Sequence, residues 1–272
     1  MQTSDAFYML STKPISTSNG MSAVRAAAYR SGEMLYSERD SKTYDFTRKH
    51  GIFHTEILLP PNAPLEFLDR QTLWNEVERV ENRKNSRFAR EVIIALPRNL
   101  LLETSVVFVR EFVIENFVSL GMCADIAIHI GHQKGEPHIE DDHEKVSLHN
   151  PHCHIMLTDR PVSRHGFAAK KNPDWNSKQL LLEWRKEWAN IQNKTFARKG
   201  LSVRVSHESY KARGIDCEPT MHLGPVLSKM ERRGIKTALG NKNRAIEAQN
   251  LENKKRQQRL ERNYEQTLEL SR

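Results

Sequence analysis

The sequence has no apolar run long enough to cross a membrane. A membrane-spanning helix needs about 20 consecutive apolar residues, whereas the best apolar stretches here are the short segments VIIAL (92–96) and SVVFV (105–109). The opening residues, MQTSDAFYML, also lack the basic and then apolar layout of a secretory signal peptide. We therefore expect a cytoplasmic protein without a membrane span.

Cysteine is scarce as well. The three cysteines, Cys123, Cys153 and Cys217, lie far apart in the sequence and form no paired framework. This spacing excludes a small secreted domain stabilised by disulfides, and it fits a reducing compartment.

Apolar and charged residues, by contrast, are ample. Hydrophobic residues make up 38% of the 272 positions and charged residues 28%, which supports a packed core and argues against wholesale disorder. The length fits one large domain or a core domain with an appendage. The 42 Lys and Arg residues exceed the 34 Asp and Glu residues, and the resulting net charge of +8 favours a polyanionic partner.

Periodicity predicts both helices and strands. Helices are predicted for the alanine-rich segment 23–35, which follows a potential N-cap at Ser22, and for 65–82, 104–120 and 181–200. Strands are predicted for 53–59, 91–96, 124–130 and 152–158, with a shorter one at 203–205. The segment 33–54 is polar and has no sustained period. After Gly240 the residues are mostly charged, which predicts a solvated helical tail.

The clearest chemical signal is the strand segment NPHCHIMLT. Side chains alternate along a strand, so His152 and His154 share one face while Cys153 takes the other. Two imidazoles about 7 Å apart on one face can hold a divalent cation together with a third ligand. His129 ends the preceding predicted strand, and antiparallel pairing would set it beside this pair. Three histidines leave open positions on a metal, as catalysis requires; the alternative is a chance pair exposed at a sheet edge.

The segment between these two strands offers further possible ligands. Its histidines and acids are His132, Glu136, His138, Glu140, Asp141, Asp142, His143, Glu144 and His149. A second cation could bind there, although a solvated acidic loop is the favoured interpretation.

A metal site on a basic protein suggests phosphodiester chemistry, which requires a nucleophile. Tyr29 lies on the alanine-rich helix, whose small side chains would allow a phosphate backbone to approach closely. Arg25 and Arg30 add positive charge beside it. Without further context, a helical tyrosine is more typical of core packing.

Three motifs in order supply that context. They are YMLSTKPISTSNGMSAVRAAAYRSGEML, WNEVERVENRKNSRFAREVIIALP and NPHCHIMLT, followed by SVRVSHESYKARGIDCEPT. Together they resemble the MobA/MobL family of plasmid relaxases, the single-strand DNA nicking enzymes that start conjugative mobilisation, over most of residues 8–219. The resemblance is closest to the MOBQ-type branch that contains the nicking enzymes of staphylococcal conjugative plasmids.

The resemblance implies a role for each candidate site residue. Tyr29 matches the family's nucleophile, and the metal-binding histidines of the wider HUH endonuclease group match His129, His152 and His154. Glu91 matches the family's acidic position on a neighbouring strand. There it would either orient a metal-binding histidine or help to deprotonate the tyrosine; the alternative is an ordinary ion-paired strand residue.

One departure from the family pattern concerns spacing. In the family a short loop separates the first histidine from the pair, whereas residues 130–151 intervene here. His132, His143 or His149 are therefore conceivable substitutes for His129. We prefer His129 because the apolar alternation of ADIAIH anchors it to the sheet.

The implied reaction is metal-dependent, site- and strand-specific DNA nicking at a plasmid transfer origin. Tyr29 would attack phosphorus, leaving a 5′-phosphotyrosyl link and a free 3′-hydroxyl. Mn or Mg is the expected ion, and histidine ligation also admits Ni, Co or Zn. The expected partners are single-stranded or hairpin DNA at the transfer origin, accessory relaxosome proteins and a coupling protein.

Basic side chains from several segments are the predicted phosphate contacts. They are Lys13, Arg25, Arg30, Arg83, Lys84, Arg87 and Arg204. Tyr36, Tyr44 or Phe46 could stack on bases, and residues 33–49 could form a flap over bound DNA. Each of these side chains has an ordinary alternative as a surface charge or a packing aromatic.

The expected fold class is α+β. The resemblance and the predicted elements imply a central antiparallel sheet that carries the histidine metal site and is flanked by helices, with the helix of Tyr29 facing the metal. Residues 1–220 are expected to form the nicking domain, and 221–272 a charged, helical tail or linker.

Three other functions compete with the relaxase hypothesis. A rolling-circle replication initiator uses the same metal and tyrosine chemistry, but the STKPIS and AREVIIALP motifs argue against it. A non-catalytic, metal-stabilised single-strand DNA-binding module would lack a nucleophile. A cupin-like or hydrolytic metalloenzyme ranks last, because the extra Asp and His of common metallohydrolases do not follow the HCH motif.

Overall fold

A computed structural model describes residues 8–130 and 150–270. The chain divides into two compact units, residues 1–207 and 208–272. The sequence placed the boundary of the nicking domain at residue 220, which stays a prediction. Residues 131–149, with the four histidines and five acids of the intervening segment, lie outside the described part, so a second cation there stays a hypothesis.

The first unit is built on a five-stranded antiparallel sheet with the strand order β1-β5-β7-β6-β4. Its strands are β1 (Leu10–Ser16), β4 (Ile52–Leu58), β5 (Arg87–Ala95), β6 (Ala124–His129) and β7 (His152–Thr158). Two hairpins stand apart from this sheet: β2 (Met34–Ser37) with β3 (Lys42–Asp45), and β8 (Val162–Ser163) with β9 (Gly166–Phe167). The described helices are α1 (Ala23–Ser31), α2 (Arg70–Val80), α3 (Leu102–Asn116), α4 (Lys178–Arg198), α5 (Gly224–Arg232) and α6 (Ala238–Leu270).

The sheet has two buried faces, each covered by a different pair of helices. One face contributes Val92, Ile126 and Ile155 to a core with the aromatic side chains of α3 and α4. The opposite face carries Met156 and packs against the alanines of α1 and the apolar side of α2. The alternation along β7 therefore places its histidines on the side of α1 and α2. The predicted α+β class, with an antiparallel sheet flanked by helices, is confirmed.

Several elements differ from the sequence prediction. The polar segment 33–54 contains the β2–β3 hairpin, which closes through register pairs such as Leu35 with Tyr44. The strand β1 was not predicted at all. The short strand predicted at 203–205 is wrong: the backbone N–H and C=O of Val205 bond to the side-chain amide of Asn193, at 2.9 and 2.8 Å, instead of to a neighbouring strand.

The charged tail is helical, as predicted. α6 runs for 33 residues, from Ala238 to Leu270, within the second unit. Among residues 8–130 and 150–270, no helix combines the length and the apolar character that a membrane crossing needs.

Candidate active site

Three histidines meet on the α1 side of the sheet. In the antiparallel register of β6 and β7, His129 lies opposite His152, and His154 lies opposite Ala127. The centroids of the three imidazole rings are 4.8 to 5.3 Å apart. One ligand nitrogen from each ring lies within 4.8 Å of the other two. Nitrogens bound to one ion at about 2.1 Å are roughly 3–4 Å apart, so small ring rotations would let these histidines share a metal.

Each histidine ring is also held by an oxygen acceptor outside the cluster. His154 Nδ1 lies 2.7 Å from a carboxylate oxygen of Glu91, and His152 Nδ1 lies 2.7 Å from the carbonyl oxygen of Asn150. His129 Nε2 lies 2.8 Å from the carbonyl oxygen of Arg30. Because an acceptor requires the proton on the nitrogen facing it, the other nitrogen of each neutral ring keeps its lone pair for a metal.

The protonation of the cluster suits metal binding. Burial lowers the pKa of His129 to about 3, and the nearby charge of Lys49 acts in the same direction. Burial also lowers the pKa of His154, against the opposing effect of Glu91. Neutral imidazoles are the form that binds a cation, so these two rings are ready for ligation at neutral pH.

Glu91 is fully buried beneath the cluster, on β5. Besides His154, its carboxylate accepts a bond from Arg30 Nε and lies 2.9 Å from Lys13 Nζ. Burial raises the pKa of Glu91, but the bonds from His154, Arg30 and Lys13 outweigh it and hold that pKa well below its usual range. The carboxylate is therefore ionised and anchors a histidine of the triad.

Two of the predicted DNA contacts belong to this network. The side chain of Arg30 is buried, and it also donates to the Ala26 carbonyl at 2.7 Å. The Lys13 side chain remains 52% exposed while it pairs with Glu91. Arg30 thus has little surface left for a phosphate, whereas Lys13 keeps a solvent-facing side.

The helix α1 begins and ends with specific caps. Ser22 caps it by accepting a bond from the Arg25 backbone N–H at 3.1 Å. Gly32 ends it in the left-handed conformation, with φ of 70°. A Cβ at Gly32 would lie 2.5 Å from Ile52 Cδ1, so another residue would require the Ile52 side chain to shift as well as a strained left-handed backbone.

A buried polar network fixes the end of α1 over β6. Asp125 on β6 accepts two bonds from the Arg70 guanidinium, each 2.9 Å long, and one from Trp74 Nε1 at 2.8 Å. The same guanidinium pairs with Glu33, which directly follows the cap of α1. Arg70 therefore links the end of α1 to the strand that carries His129.

Tyr29 lies on the outer side of α1, one residue before the carbonyl group that contacts His129. It is 50% exposed, whereas the alanines before it are buried. The Phe46 ring meets the Tyr29 ring edge-on, with centroids 5.2 Å apart. Lys49 Nζ lies 3.9 Å from the centroid of the Tyr29 ring and donates to the Tyr29 carbonyl at 2.6 Å.

Sequence reasoning did not single out Lys49. Its side chain is half-buried, and this burial together with the nearby charge of Arg30 lowers its pKa to about 8. The only signal in the sequence was its position at the end of the segment 33–49, which was proposed as a flap over DNA. Its contact with Tyr29 depends on the β2–β3 hairpin, which the sequence did not reveal.

The remaining predicted basic residues are spread over the first unit. Arg25 is exposed on α1, one turn before Tyr29, with Cζ 6.0 Å from the Tyr44 ring centroid. Arg83 and Lys84 are exposed between α2 and β5. Arg87 pairs with Asp159, and Arg204 donates to the carbonyl groups of Leu201 and Val203. Their contact with DNA stays a prediction.

Known proteins resemble this chain along most of its length. The mobilization protein MobL of Acidithiobacillus ferridurans is 33% identical over 246 residues, which cover 84% of this chain and 64% of that protein. The conjugal transfer protein TraA of Agrobacterium fabrum is 32% identical over 83% of this chain and 22% of its own length. The chain thus spans less than two thirds of either relative.

A solved structure and a family model agree with these relatives. The structure, described as the molecular basis of vancomycin resistance transfer in Staphylococcus aureus, superposes with a TM-score of 0.66 and 36% identity, over 75% of this chain and 100% of that one. The model of the MobA/MobL family matches residues 21–233, a range that includes Tyr29, Glu91 and the three histidines. This chain belongs to the MobA/MobL family.

Proposed function

We propose that this chain is a DNA relaxase, which nicks one strand at a plasmid transfer origin and thereby initiates conjugative mobilisation. One observation carries the proposal: a cluster of three histidines contacts the end of the helix that bears an exposed tyrosine. The names of the relatives, a mobilization protein and a conjugal transfer protein, fit the same activity.

The three histidines would hold a divalent cation. The neutral imidazoles of His129 and His154, and the oxygen acceptors that fix one nitrogen of each of the three rings, suit the binding of such an ion. When bound, the ion would draw charge from the non-bridging oxygens of the scissile phosphate. Mn or Mg is the ion we propose, and imidazole ligands also accept Ni, Co or Zn.

Tyr29 is the proposed nucleophile. Its phenol oxygen would form a bond to phosphorus as the bond from phosphorus to the 3′ oxygen breaks. The phenol loses its proton to the surroundings, and the departing 3′ oxygen gains one to become a hydroxyl group. The product is a 5′-phosphotyrosyl link. Because one phosphodiester replaces another, the step needs no ATP and can be reversed to rejoin the strand.

Glu91 is proposed as a positioning residue. Two functions were open to it: orienting a histidine or deprotonating the tyrosine. Its contacts with His154, Arg30 and Lys13 favour the first, because they occupy both carboxylate oxygens. A carboxylate behind a metal-binding imidazole fixes the ring and raises its basicity as a ligand.

DNA at the transfer origin, single-stranded or in a hairpin, is the proposed substrate. Arg25, Arg83 and Lys84 are its first candidate phosphate contacts because their side chains are exposed. Accessory relaxosome proteins and a coupling protein are the further proposed partners.

The covalent intermediate gives a direct test. Single-stranded DNA from the transfer origin of the source plasmid is mixed with the protein and Mn²⁺ and run on a denaturing gel. We expect a slow-migrating protein–DNA band that Tyr29→Phe and EDTA both abolish. Tight, salt-sensitive DNA binding without any such band would support the non-catalytic DNA-binding module instead.

A second pair of variants tests the choice of histidine. We expect His129→Ala to lose metal binding and the covalent band, whereas His143→Ala keeps both. The physical reason is that the β6–β7 register sets His129 opposite His152. If His129→Ala binds metal and forms the band as well as the unsubstituted protein, the proposed ligand set is wrong.

A further inference from the structure

The turn between β3 and β4 lies against the proposed nucleophile. It contributes Phe46, whose backbone N–H donates to the Glu33 carbonyl just beyond the end of α1. The Lys49 backbone N–H returns to the Phe46 carbonyl at 2.9 Å, which closes the turn. At the far end of the turn, the Gly51 carbonyl accepts a bond from Ile130, directly after His129. The turn is therefore closed on itself and fixed at both ends to segments of the site.

The Lys49 side chain makes two contacts with one residue. Its ammonium group lies over the face of the Tyr29 ring, 3.9 Å from the centroid, and donates to the backbone carbonyl of Tyr29 at 2.6 Å. The Phe46 ring approaches the same ring with an interplanar angle of 86°. An exposed phenol on a helix can adopt several rotamers. The Lys49 ammonium group on the face of the Tyr29 ring and the Phe46 ring at its edge restrict the rotamers that Tyr29 can adopt.

The position of Lys49 has an electrostatic cost. Its ammonium group is half-buried beside the Arg30 charge, and both features disfavour the charged form. A lysine that only kept the surface soluble would leave its ammonium group in water and avoid this cost. The carbonyl bond and the aromatic ring are the two groups that stabilise it there.

We infer that Lys49 is a positioning residue for the relaxase reaction, which holds the phenol ring of Tyr29 in one orientation for attack on phosphorus. This inference rests on the proposed function. Misplacing a reacting group by about 1 Å can lower a rate by roughly 100-fold. Lys49 is thus expected to affect the rate of covalent bond formation and not the affinity for DNA.

The test compares three substitutions. Lys49→Met keeps the length of the side chain and removes its charge, while Lys49→Arg keeps a cation that can both donate and cover an aromatic ring. Lys186→Met is the control: Lys186 is an exposed lysine on α4, which covers the face of the sheet opposite the histidines. For each variant, the single-turnover rate of covalent adduct formation and the Kd for uncleaved DNA are measured.

We expect Lys49→Met to slow adduct formation by about 10- to 100-fold with an unchanged Kd. Lys49→Arg restores most of the rate, and Lys186→Met leaves the rate unchanged. An unaltered rate in Lys49→Met overturns the inference. So does a loss of DNA affinity in proportion to the loss of rate, because this result would make Lys49 a phosphate contact.

A DNA-free measurement separates this inference from the proposed function. The protein is labelled with 3-fluorotyrosine, and the ¹⁹F signal of Tyr29, one of six tyrosines, is assigned by its loss in Tyr29→Phe. Lys49→Met should shift the Tyr29 signal and leave in place the signal of Tyr8, a half-buried residue whose hydroxyl donates to the Arg185 carbonyl at 2.8 Å. An unchanged Tyr8 signal also shows that the variant is folded. If the Tyr29 signal does not move, the inferred contact between Lys49 and Tyr29 is wrong. This result is obtained without DNA, so it holds even if the unsubstituted protein forms no adduct and the relaxase proposal fails.

Discussion

At the scale of single residues, the site consists of side chains that hold one another in place. Glu91 is the central example, because one buried carboxylate serves His154, Arg30 and Lys13. Arg30 in turn presents its backbone carbonyl to His129. A substitution at any of these positions is therefore expected to alter the histidine cluster even where the substituted residue is not itself a ligand.

Glu91→Gln tests this at the cluster. The amide keeps the shape of the side chain but loses the charge that balances Arg30 and Lys13. We expect the affinity for Mn²⁺, measured by titration calorimetry, to fall by about 10- to 100-fold. Glu56→Gln is the control, since Glu56 on β4 pairs with Arg110 outside the cluster. Equal metal affinity in the two variants would refute a positioning role for Glu91.

The part of the candidate site that lies on strands was largely predictable from the sequence. His152 and His154 follow the two-residue period of β7, and His129 ends an apolar strand, so pairing alone brings them together. Lys49 was not predictable. Lys49 lies in the turn that follows the β2–β3 hairpin, and from there its side chain contacts Tyr29. The polar segment that forms the hairpin and the turn has no hydrophobic period, so nothing in the sequence indicated this contact.

At the scale of elements, contacts on two sides fix the end of α1. Gly32 combines a left-handed conformation with a close approach to Ile52, and Arg70 bridges the following residue to β6. These contacts determine where the helix stops. They therefore determine where Tyr29 lies relative to the sheet.

Gly32→Ala tests the constraint on α1. The left-handed conformation alone costs an alanine about 1–2 kcal/mol, and the Ile52 side chain must shift to make room for the added Cβ. Gly20→Ala is the control, because Gly20 has φ of 62° and nothing within 4 Å of an added Cβ. We expect both variants to lower the free energy of unfolding in urea, but only Gly32→Ala to slow adduct formation. Identical losses in the two variants would argue against the close approach.

The elements that the sequence missed share a physical cause. β1 contains Pro14 and is an edge strand, whose burial pattern does not alternate cleanly. The hairpin strands β2 and β3 are four residues each and largely polar. Strands that bury little apolar surface leave only a weak pattern in the sequence, whereas the central strands β5, β6 and β7 were all predicted.

At the scale of the whole molecule, the excess of basic residues is the feature that bears on DNA. The net charge of +8 favours binding to phosphates. Yet Arg70, Arg87 and Arg160 are engaged with carboxylates of the first unit, so only a part of the positive charge faces solvent unopposed. DNA affinity should then depend on a few exposed side chains.

Salt dependence measures that number. For single strands, the logarithm of the binding constant falls with the logarithm of salt concentration by about 0.7 per phosphate contact. We expect Arg25→Ala, next to Tyr29 on α1, to reduce this slope by roughly 0.7. Arg198→Ala serves as the control, because Arg198 ends α4 on the opposite side of the sheet. A slope that Arg25→Ala leaves unchanged would remove Arg25 from the proposed DNA contacts.

Because both faces of the sheet are buried, insertions and deletions should have different effects in the strands and in the connections between them. The positions of the three imidazoles depend on the ladder between β6 and β7, not on how many residues join the two strands. Lengthening a connection costs only about 0.6 kcal/mol for each doubling. Deleting Cys153 would instead make His152 and His154 neighbours on β7, so that one of them turns toward the aromatic core. Insertions between residues 130 and 151 should therefore be tolerated, whereas deletion of Cys153 alone should abolish metal binding by the three histidines.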